Sequence, residues 1–349
     1  CVACTQGCLA RTFFAQPAGC ILNGYAGREC EHLMHRTREP KNILVLGAGV
    51  AGCEFAIQAA VRGNNVTIWE KSQEIGGQLH LVAAPHAKRE FLTLIDYYRS
   101  MLARLSIQVL YGKDATPAEI VESCYDAVVV ATGSKPKRLE LPSACHIPVV
   151  SAADILRGSV TAGQNVVVIG GGSVGCETAD FLACDAALSP EEAWFLLTQK
   201  AETLETVLSL LDTPRRRVSI VDTAKIGSGF EPGTAWPLLK ELDRLGVAQY
   251  PQTRITDFAD DSLTLEYIVP KTREQKQLER ETGVSEPEKC ERVTLPCDTI
   301  ISAIGSVPND ALFSALRDDC PVLYRLGDAE NVGRISDAVE QAITLAESL

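Results

Sequence analysis

Four cysteines stand within the first twenty residues, Cys1, Cys4, Cys8 and Cys20, in the spacing C-x2-C-x3-C-x11-C. Four thiolates this close in sequence are the ligand set of a [4Fe–4S] cluster or of a Cys4 zinc ion. Structural zinc sites use two separated C-x2-C knuckles where this segment has one, so the spacing favours the cluster and leaves zinc as the alternative. Further on, Gly47-Ala48-Gly49-Val50-Ala51-Gly52 reads G-x-G-x-x-G, with Glu70 following 23 residues after Gly47. In a dinucleotide-binding turn the first glycine permits the tight bend, the second lets the backbone approach a pyrophosphate, and the third lets helix and strand pack closely. Glu70 would accept hydrogen bonds from an adenosine ribose. The pattern occurs again at Gly170, Gly172 and Gly175, with Asp222 52 residues beyond Gly170. A carboxylate there favours the free 2′-OH of NAD over the 2′-phosphate of NADP. Arg215, Arg216 and Arg217 precede it and are expected at the opposite end of its strand, as solvated charges.

Cys30, Cys53, Cys124, Cys145, Cys176, Cys184, Cys290, Cys297 and Cys320 are scattered and read as small core hydrophobes. None of these nine form the C-x2-C or C-x4-C redox dithiol of a disulfide reductase. His32, His35, His80, His86 and His146 show no metal-ligand spacing beyond an i, i+3 pair, and read as solvent-exposed. No Ser/His/Asp set or carboxylate pair stands out as a catalytic centre.

These residues need elements to hold them. Asn42-Ile43-Leu44-Val45-Leu46 is a short apolar strand before the first glycine turn, a helix follows through Val61, and Val66 to Glu70 is the next strand. An amphipathic helix spans Lys88 to Leu105, and Ala127 to Gly133 is a strand ending in a glycine turn. The order then repeats: strand Asn165 to Ile169, glycine turn, helix through Leu182, strand Val218 to Asp222, and a closing strand Thr299 to Gly305. An internal duplication of two parallel-sheet units follows. Residues 183–217 form a helical insertion, helical over Glu191 to Leu211. Lys271 to Lys289, with Gly283 and Pro287, reads as an exposed hairpin tip or loop. Leu323 to Asp328 is a last short strand before a helix from about Ser336.

The chain has 349 residues, which at roughly 150 per domain suggests two domains and an appendage. A 46% hydrophobic and 22% charged composition excludes a disordered chain. The net charge of −12 offers no field for nucleic acid, and no apolar run reaches the ~18 residues of a membrane span. Thirteen cysteines, an odd number without a dense paired framework, point to a reducing, cytoplasmic setting. The sequence opens on Cys1 rather than Met, which suggests processing or a piece of a longer polypeptide. The expected fold is α/β, with two Rossmann-like dinucleotide-binding domains and an N-terminal Cys-rich segment. The expected divisions are 1–39 for that segment, 40–145 plus 297–349 for the first domain, and 146–296 for the second.

The cysteine segment with Thr5-Gln6-Gly7 and Cys20-Ile21-Leu22-Asn23, the turn at Gly47 to Gly52, Glu74-Ile75-Gly76-Gly77-Gln78-Leu79 and Leu326-Gly327-Asp328 together resemble the C-terminal half of the 2-enoate reductase, 2,4-dienoyl-CoA reductase and trimethylamine dehydrogenase family. Leu188 to Glu192 and Gly233-Thr234-Ala235-Trp236 look most like the 2-enoate reductase branch. The resemblance implies two domains arranged as in the disulfide reductases, preceded in the family by a (β/α)8 barrel holding FMN and the substrate, which this sequence lacks. It implies [4Fe–4S] on Cys1, Cys4, Cys8 and Cys20. It implies FAD at Gly47, Gly49, Gly52, Glu70, Gly77, Gln78, Gly133, Gly327 and Asp328, and NADH, less readily NADPH, at Gly170, Gly172, Gly175, Glu177, Asp222 and Gly305. The implied path runs from NADH to FAD, to the cluster, to FMN on the barrel, and a homo-oligomer is compatible with it. Two alternatives stand beside it: a non-catalytic module holding ADP in the first site, as in trimethylamine dehydrogenase, and a zinc-containing flavin reductase.

Overall fold

The computed structural model describes the chain except residues 32–34, 143, 144, 187, 213, 215, 231, 232, 270, 272 and 284–288. The expectations for His32, Arg215 and Pro287 lie outside the described residues. Two compact units form, Cys1–Lys137 with Ser306–Leu349, and Arg138–Gly305.

In the first unit five parallel strands lie in the order Leu323–Arg325, Ala127–Val130, Asn42–Leu46, Asn65–Trp69, Gln108–Leu110. Side chains alternate across a strand, and here both faces are apolar. Ile43, Val45, Ile68 and Val129 enter one core, and Leu44, Leu46, Trp69, Val128 and Val130 the other. The helix Val50–Val61 is buried from Ala51 through Ala59. It packs against strand Asn65–Trp69 on one side and the C-terminal helix Ile335–Ser348 on another, so it is apolar nearly all round.

The second unit repeats the order with Val149–Ser151, Thr299–Ser302, Asn165–Ile169, Arg217–Val221 and Ala248–Tyr250, all parallel. Helix Ser173–Ala186 takes the place of Val50–Val61. An antiparallel meander, Thr253–Phe258, Ser262–Ile268 and Cys290–Pro296, contributes Leu263, Leu265 and Leu295 to the core that receives Val167 and Val221.

Several expectations shift. The divisions expected at 145/146 and 296/297 fall instead at 137/138 and 305/306, because Thr299–Ser302 pairs with Val149–Ser151 and Asn165–Ile169 inside the second sheet. The insertion is two helices, Pro190–Thr198 and Leu204–Asp212, the first opened by a Ser189/Glu192 capping box and followed by Lys200 at φ 53°. The tip expected at Lys271 to Lys289 carries a helix, Arg273–Thr282, between two paired strands. The run from Lys88 begins as a 3₁₀ turn, His86–Phe91, before the α-helix Leu92–Arg104.

The cysteine segment belongs to the first unit. Val2 and Ile21 are buried in its core, and Arg11 and Arg28 pair with Glu340 of the C-terminal helix. A Cβ on Gly24 would stand 2.2 Å from Ile343 Cδ1, so segment and helix meet without room for a side chain. Tyr25 OH donates to Gln58 Oε1 at 2.7 Å, and Gln58 Nε2 donates to Glu54 Oε1 at 2.6 Å.

Burial raises the Glu54 carboxyl above its ordinary pKa, partly offset by the Gln58 hydrogen bond. A raised folded-state pKa means that the native state holds the proton more tightly than the unfolded chain. The resulting stability is present below the unfolded pKa and declines as pH rises toward the folded value. Glu54→Gln removes the ionisation, so its stability relative to wild type should rise with pH across that window and then level off. Urea midpoints measured through that range check this, and parallel pH profiles for the two proteins would contradict it.

Candidate functional site

The first glycine turn is held by backbone contact. Gly47 has φ +107°, and a Cβ there would meet Ala131 O at 2.5 Å. A Cβ on Gly52 would lie 2.0 Å from Gly47 O, so the helix approaches its strand backbone to backbone. Gly49, by contrast, has open space around its missing side chain, and it caps the helix Val50–Val61 with extended backbone. Glu70 is 7% exposed. Its Oε2 accepts from Ala48 N–H at 2.6 Å and its Oε1 from Ser72 N–H at 2.8 Å.

The second turn reproduces this arrangement residue by residue. Gly170 has φ +111° with Ala303 O 2.4 Å from its would-be Cβ, and the Gly175 Cβ would lie 1.8 Å from Gly170 O. Asp222 Oδ2 accepts from Gly171 N–H at 2.5 Å and Oδ1 from Ala224 N–H at 2.7 Å. Each carboxylate spends one lone pair per oxygen on the backbone and has others left over. Gly172 has only Ser228 O near its missing Cβ, at 3.7 Å. Glu177 is half-buried early in the following helix, and Gly305, φ +96°, is exposed after the closing strand.

Beside the first turn a polar set converges. Gln78 Nε2 donates to Ser134 Oγ at 3.0 Å and to Asp328 Oδ2 at 3.2 Å, and Ser134 Oγ donates to the same Asp328 oxygen at 2.9 Å. Gly133 lies against Gln78, and Gly77 against Gly49, at 3.7 and 3.2 Å from their would-be Cβ atoms. A Cβ on Gly327, φ +62°, would meet that of Ala51 at 2.7 Å. The structure thus brings together Gly49, Gly77, Gln78, Gly133, Gly327 and Asp328. It adds Ser134, which sequence reasoning missed although it directly follows Gly133.

Cys1, Cys8 and Cys20 are exposed and Cys4 is half-buried. Ala3 N–H donates to Cys1 Sγ and Leu22 N–H to Cys20 Sγ, each at 3.4 Å. Burial raises the Cys4 pKa and the nearby Cys8 and Cys20 sulfurs add to the rise, while the N–H groups of Gln6 and Gly7 work against it. A Cβ on Gly7 would lie 2.7 Å from the Gly19 carbonyl carbon, so the strands of chain leading to Cys8 and Cys20 touch by their backbones. Backbone amides directed at the Cys1, Cys4 and Cys20 sulfurs would suit a group that binds thiolates and is tuned by hydrogen bonds to them. Four ligands on one tetrahedral zinc at about 2.3 Å would stand about 3.8 Å apart. Among the described residues, the one group of three or more His, Cys, Asp or Glu side chains with donor atoms all within 4.8 Å is Asp180, Cys184 and Glu241, so no three of the four N-terminal sulfurs come that close. There Glu241 is already held by Arg244.

Of the nine other cysteines, Cys53, Cys176 and Cys297 are buried, but Cys30, Cys124 and Cys290 are exposed, against expectation. They sit at chain turns and a sheet margin, where an apolar neighbour in sequence does not become one in space. Arg217 is exposed at the far end of its strand as expected, but Arg216 Nε donates to Gly163 O at 3.1 Å. His35, His86 and His146 are exposed, and His80 lies 2.9 Å from Ile75 O. No helix of the described residues is long and apolar enough to cross a membrane.

Residues 99–325 match the family described as pyridine nucleotide-disulphide oxidoreductase, and residues 45–97 match the NAD(P)-binding Rossmann-like domain. A protein named metal reductase from Desulforamulus reducens is 37% identical over 347 residues, covering 98% of this chain and 49% of the relative. One named cinnamate reductase from Clostridium sporogenes is 28% identical over 349 residues, covering 100% and 45%. A solved structure of 2-naphthoyl-CoA reductase with 2-naphthoyl-CoA superposes with a TM-score of 0.80 at 26% identity, covering 100% of this chain and 46% of that one. The chain spans about half the length of the curated relatives it matches.

The different space at Gly49 and Gly52 separates binding from folding. Gly49→Ala should leave the urea midpoint near that of wild type, because nothing lies within 4 Å of the new methyl group, yet lower nucleotide retention in the first unit at least tenfold. Gly52→Ala should destabilise the unit by about 2 kcal/mol or more, since the backbone itself must move. Equal losses of stability in the two variants would contradict this division.

Proposed function

The chain belongs to the pyridine nucleotide-disulphide oxidoreductase family, and on that premise we propose that it is the NADH-oxidising, electron-input half of an iron–sulfur flavoprotein reductase of the enoate and dienoyl-CoA reductase type. The observation that carries this reading is the sharing of one compact unit. The four-cysteine segment docks on the helix that follows Gly327-Asp328, in the same unit as the first glycine turn and Glu70.

FAD would be held by Gly47, Gly49, Gly52, Glu70, Gly77, Gln78, Gly133, Gly327 and Asp328, with Ser134 fixing the Asp328 carboxylate. Gln78, Ser134 and Asp328 are polar groups additional to the turn and the acidic residue that an adenine nucleotide alone would need, which supports FAD over ADP. NADH would be held by Gly170, Gly172, Gly175, Glu177, Asp222 and Gly305, and Cys1, Cys4, Cys8 and Cys20 would hold a [4Fe–4S] cluster. A flavin accepts a hydride's two electrons and can release them singly, which matches a cluster that carries one at a time. In this chain the glycine turns present backbone N–H groups to pyrophosphates, Asp222 selects the ribose, and the amides around Cys1, Cys4 and Cys20 stabilise thiolate charge. Relatives named for cinnamate, metal and 2-naphthoyl-CoA share this half. That sharing supports a common input unit whose acceptor, an FMN-bearing barrel domain, lies in the other half. The nine cysteines besides Cys1, Cys4, Cys8 and Cys20 include no C-x2-C or C-x4-C pair, which fits an acceptor other than a disulfide.

Anaerobically purified and reconstituted protein should show flavin bands and broad iron–sulfur absorption, with rapid bleaching of the flavin on mixing with NADH. Bound adenine nucleotide with unchanged absorbance would establish the ADP-module reading instead, and zinc without iron or labile sulfide the zinc reading. Asp222→Ala should narrow the NADH over NADPH preference in kcat/KM by about tenfold, the scale of a charged hydrogen bond. An unchanged ratio would remove Asp222 from cofactor selection.

A further inference from the structure

The duplicated turns share one feature that neither the glycine pattern nor the acidic residue requires. The third glycine is followed in both by Cys-Glu, as Gly52-Cys53-Glu54 and Gly175-Cys176-Glu177. Both cysteines are fully buried. Cys53 Sγ donates to Ala48 O at 3.2 Å and Cys176 Sγ to Gly171 O at 3.4 Å, each reaching back five residues, beyond the helix start and into the turn. The same two carbonyls each accept a second hydrogen bond, Ala48 O from Gly76 N–H at 2.8 Å and Gly171 O from Gly227 N–H at 2.7 Å. Both lone pairs of each oxygen are therefore engaged.

A trans peptide points its C=O and N–H in opposite directions. Fixing Ala48 C=O from the helix side therefore aims the N–H of Gly49 the other way, toward the open space in front of the turn. Fixing Gly171 C=O does the same for Gly172. The preceding peptides are pinned independently by Glu70 and Asp222 through the N–H of Ala48 and Gly171. We propose that Cys53 and Cys176 are positioning residues of the two nucleotide sites, their thiols locking the peptide that presents the Gly49 and Gly172 N–H groups to a diphosphate. This rests on reading the turns as phosphate-binding, and it assigns to two cysteines a role that is neither packing nor redox chemistry. The donors stay protonated at neutral pH, since burial pushes the Cys176 thiol up to about 11 and raises that of Cys53 further. A buried neutral thiol is also a poor nucleophile and a poor metal ligand.

The full chain loaded with flavin provides the test. Cys176→Ala should weaken NADH and ADP-ribose roughly fivefold, the size of one net hydrogen bond. Adenosine, which lacks phosphate, should bind as before. Cys176→Ser, which keeps a donor, should restore most of the loss; toward FAD, Cys53→Ala should show the corresponding loss and Cys53→Ser the corresponding recovery. The S–H stretch, in an infrared window free of other protein bands, should lose one hydrogen-bonded component with each alanine. Unchanged NADH affinity in Cys176→Ala, an equal deficit in the serine variant, an equal loss for adenosine, or thiol bands at the free frequency would each overturn the proposal. If Cys53→Ala does not fold, the Cys176 pair decides. Failure of the wild type to bind NADH would count against the proposed function, while the infrared bands would still report on the thiols.

Discussion

In each unit a carbonyl oxygen occupies the place where a side chain would begin. Gly47 O lies 2.0 Å from the would-be Cβ of Gly52, and Gly170 O lies 1.8 Å from that of Gly175. Only glycine at those positions lets the helix descend onto its strand at backbone distance. The rest follows from that closeness. The helix start is carried to the carboxyl end of the sheet, its free N–H groups face the same crevice as Glu70 or Asp222, and the next strand can place its own acidic residue within hydrogen-bond reach of the turn.

The copies diverge in what covers them. The first unit buries its glycine-turn helix against the C-terminal helix, and that helix in turn seats the cysteine segment. In the second unit the corresponding helix Ser173–Ala186 packs against the helix Ala235–Arg244, and the antiparallel meander covers the other face of the sheet. A shared turn has therefore been set in two different surroundings, one that receives the thiolate segment and one that does not.

Much of this was readable in the sequence because the signals are local. Strands Asn42–Leu46 and Asn165–Ile169, the helices after each turn and the acidic residue closing each second strand follow from runs of apolar residues and fixed glycine spacing. What escaped is non-local or side-chain specific. Arg11 and Glu340 are 329 residues apart, so nothing near the cysteines announces the helix they dock on. Ser134 becomes part of the polar set only because Gln78 and Asp328 converge on it. The unit boundary moved because Thr299–Ser302, like Ala127–Val130, is a short strand leading to a glycine, and only pairing decides which sheet it completes. Cys53 and Cys176 looked like filler, since a thiol's hydrogen bond has no periodicity to betray it.

The first unit is assembled from chain on both sides of the second, and this has a consequence for the order of folding. The strand Leu323–Arg325 completes its sheet, and the helix Ile335–Ser348 buries Val50–Val61 and receives the cysteine segment. All of these are made after residue 305. As the chain emerges from the ribosome, the second unit can close on itself while the edge of Ala127–Val130 still waits for a partner. The cysteine segment, which precedes the second unit in sequence, is consequently packed after it. The thiols of Cys1, Cys4, Cys8 and Cys20 stay accessible until the helix Ile335–Ser348 is made, and that is the interval in which they are most open to oxidation.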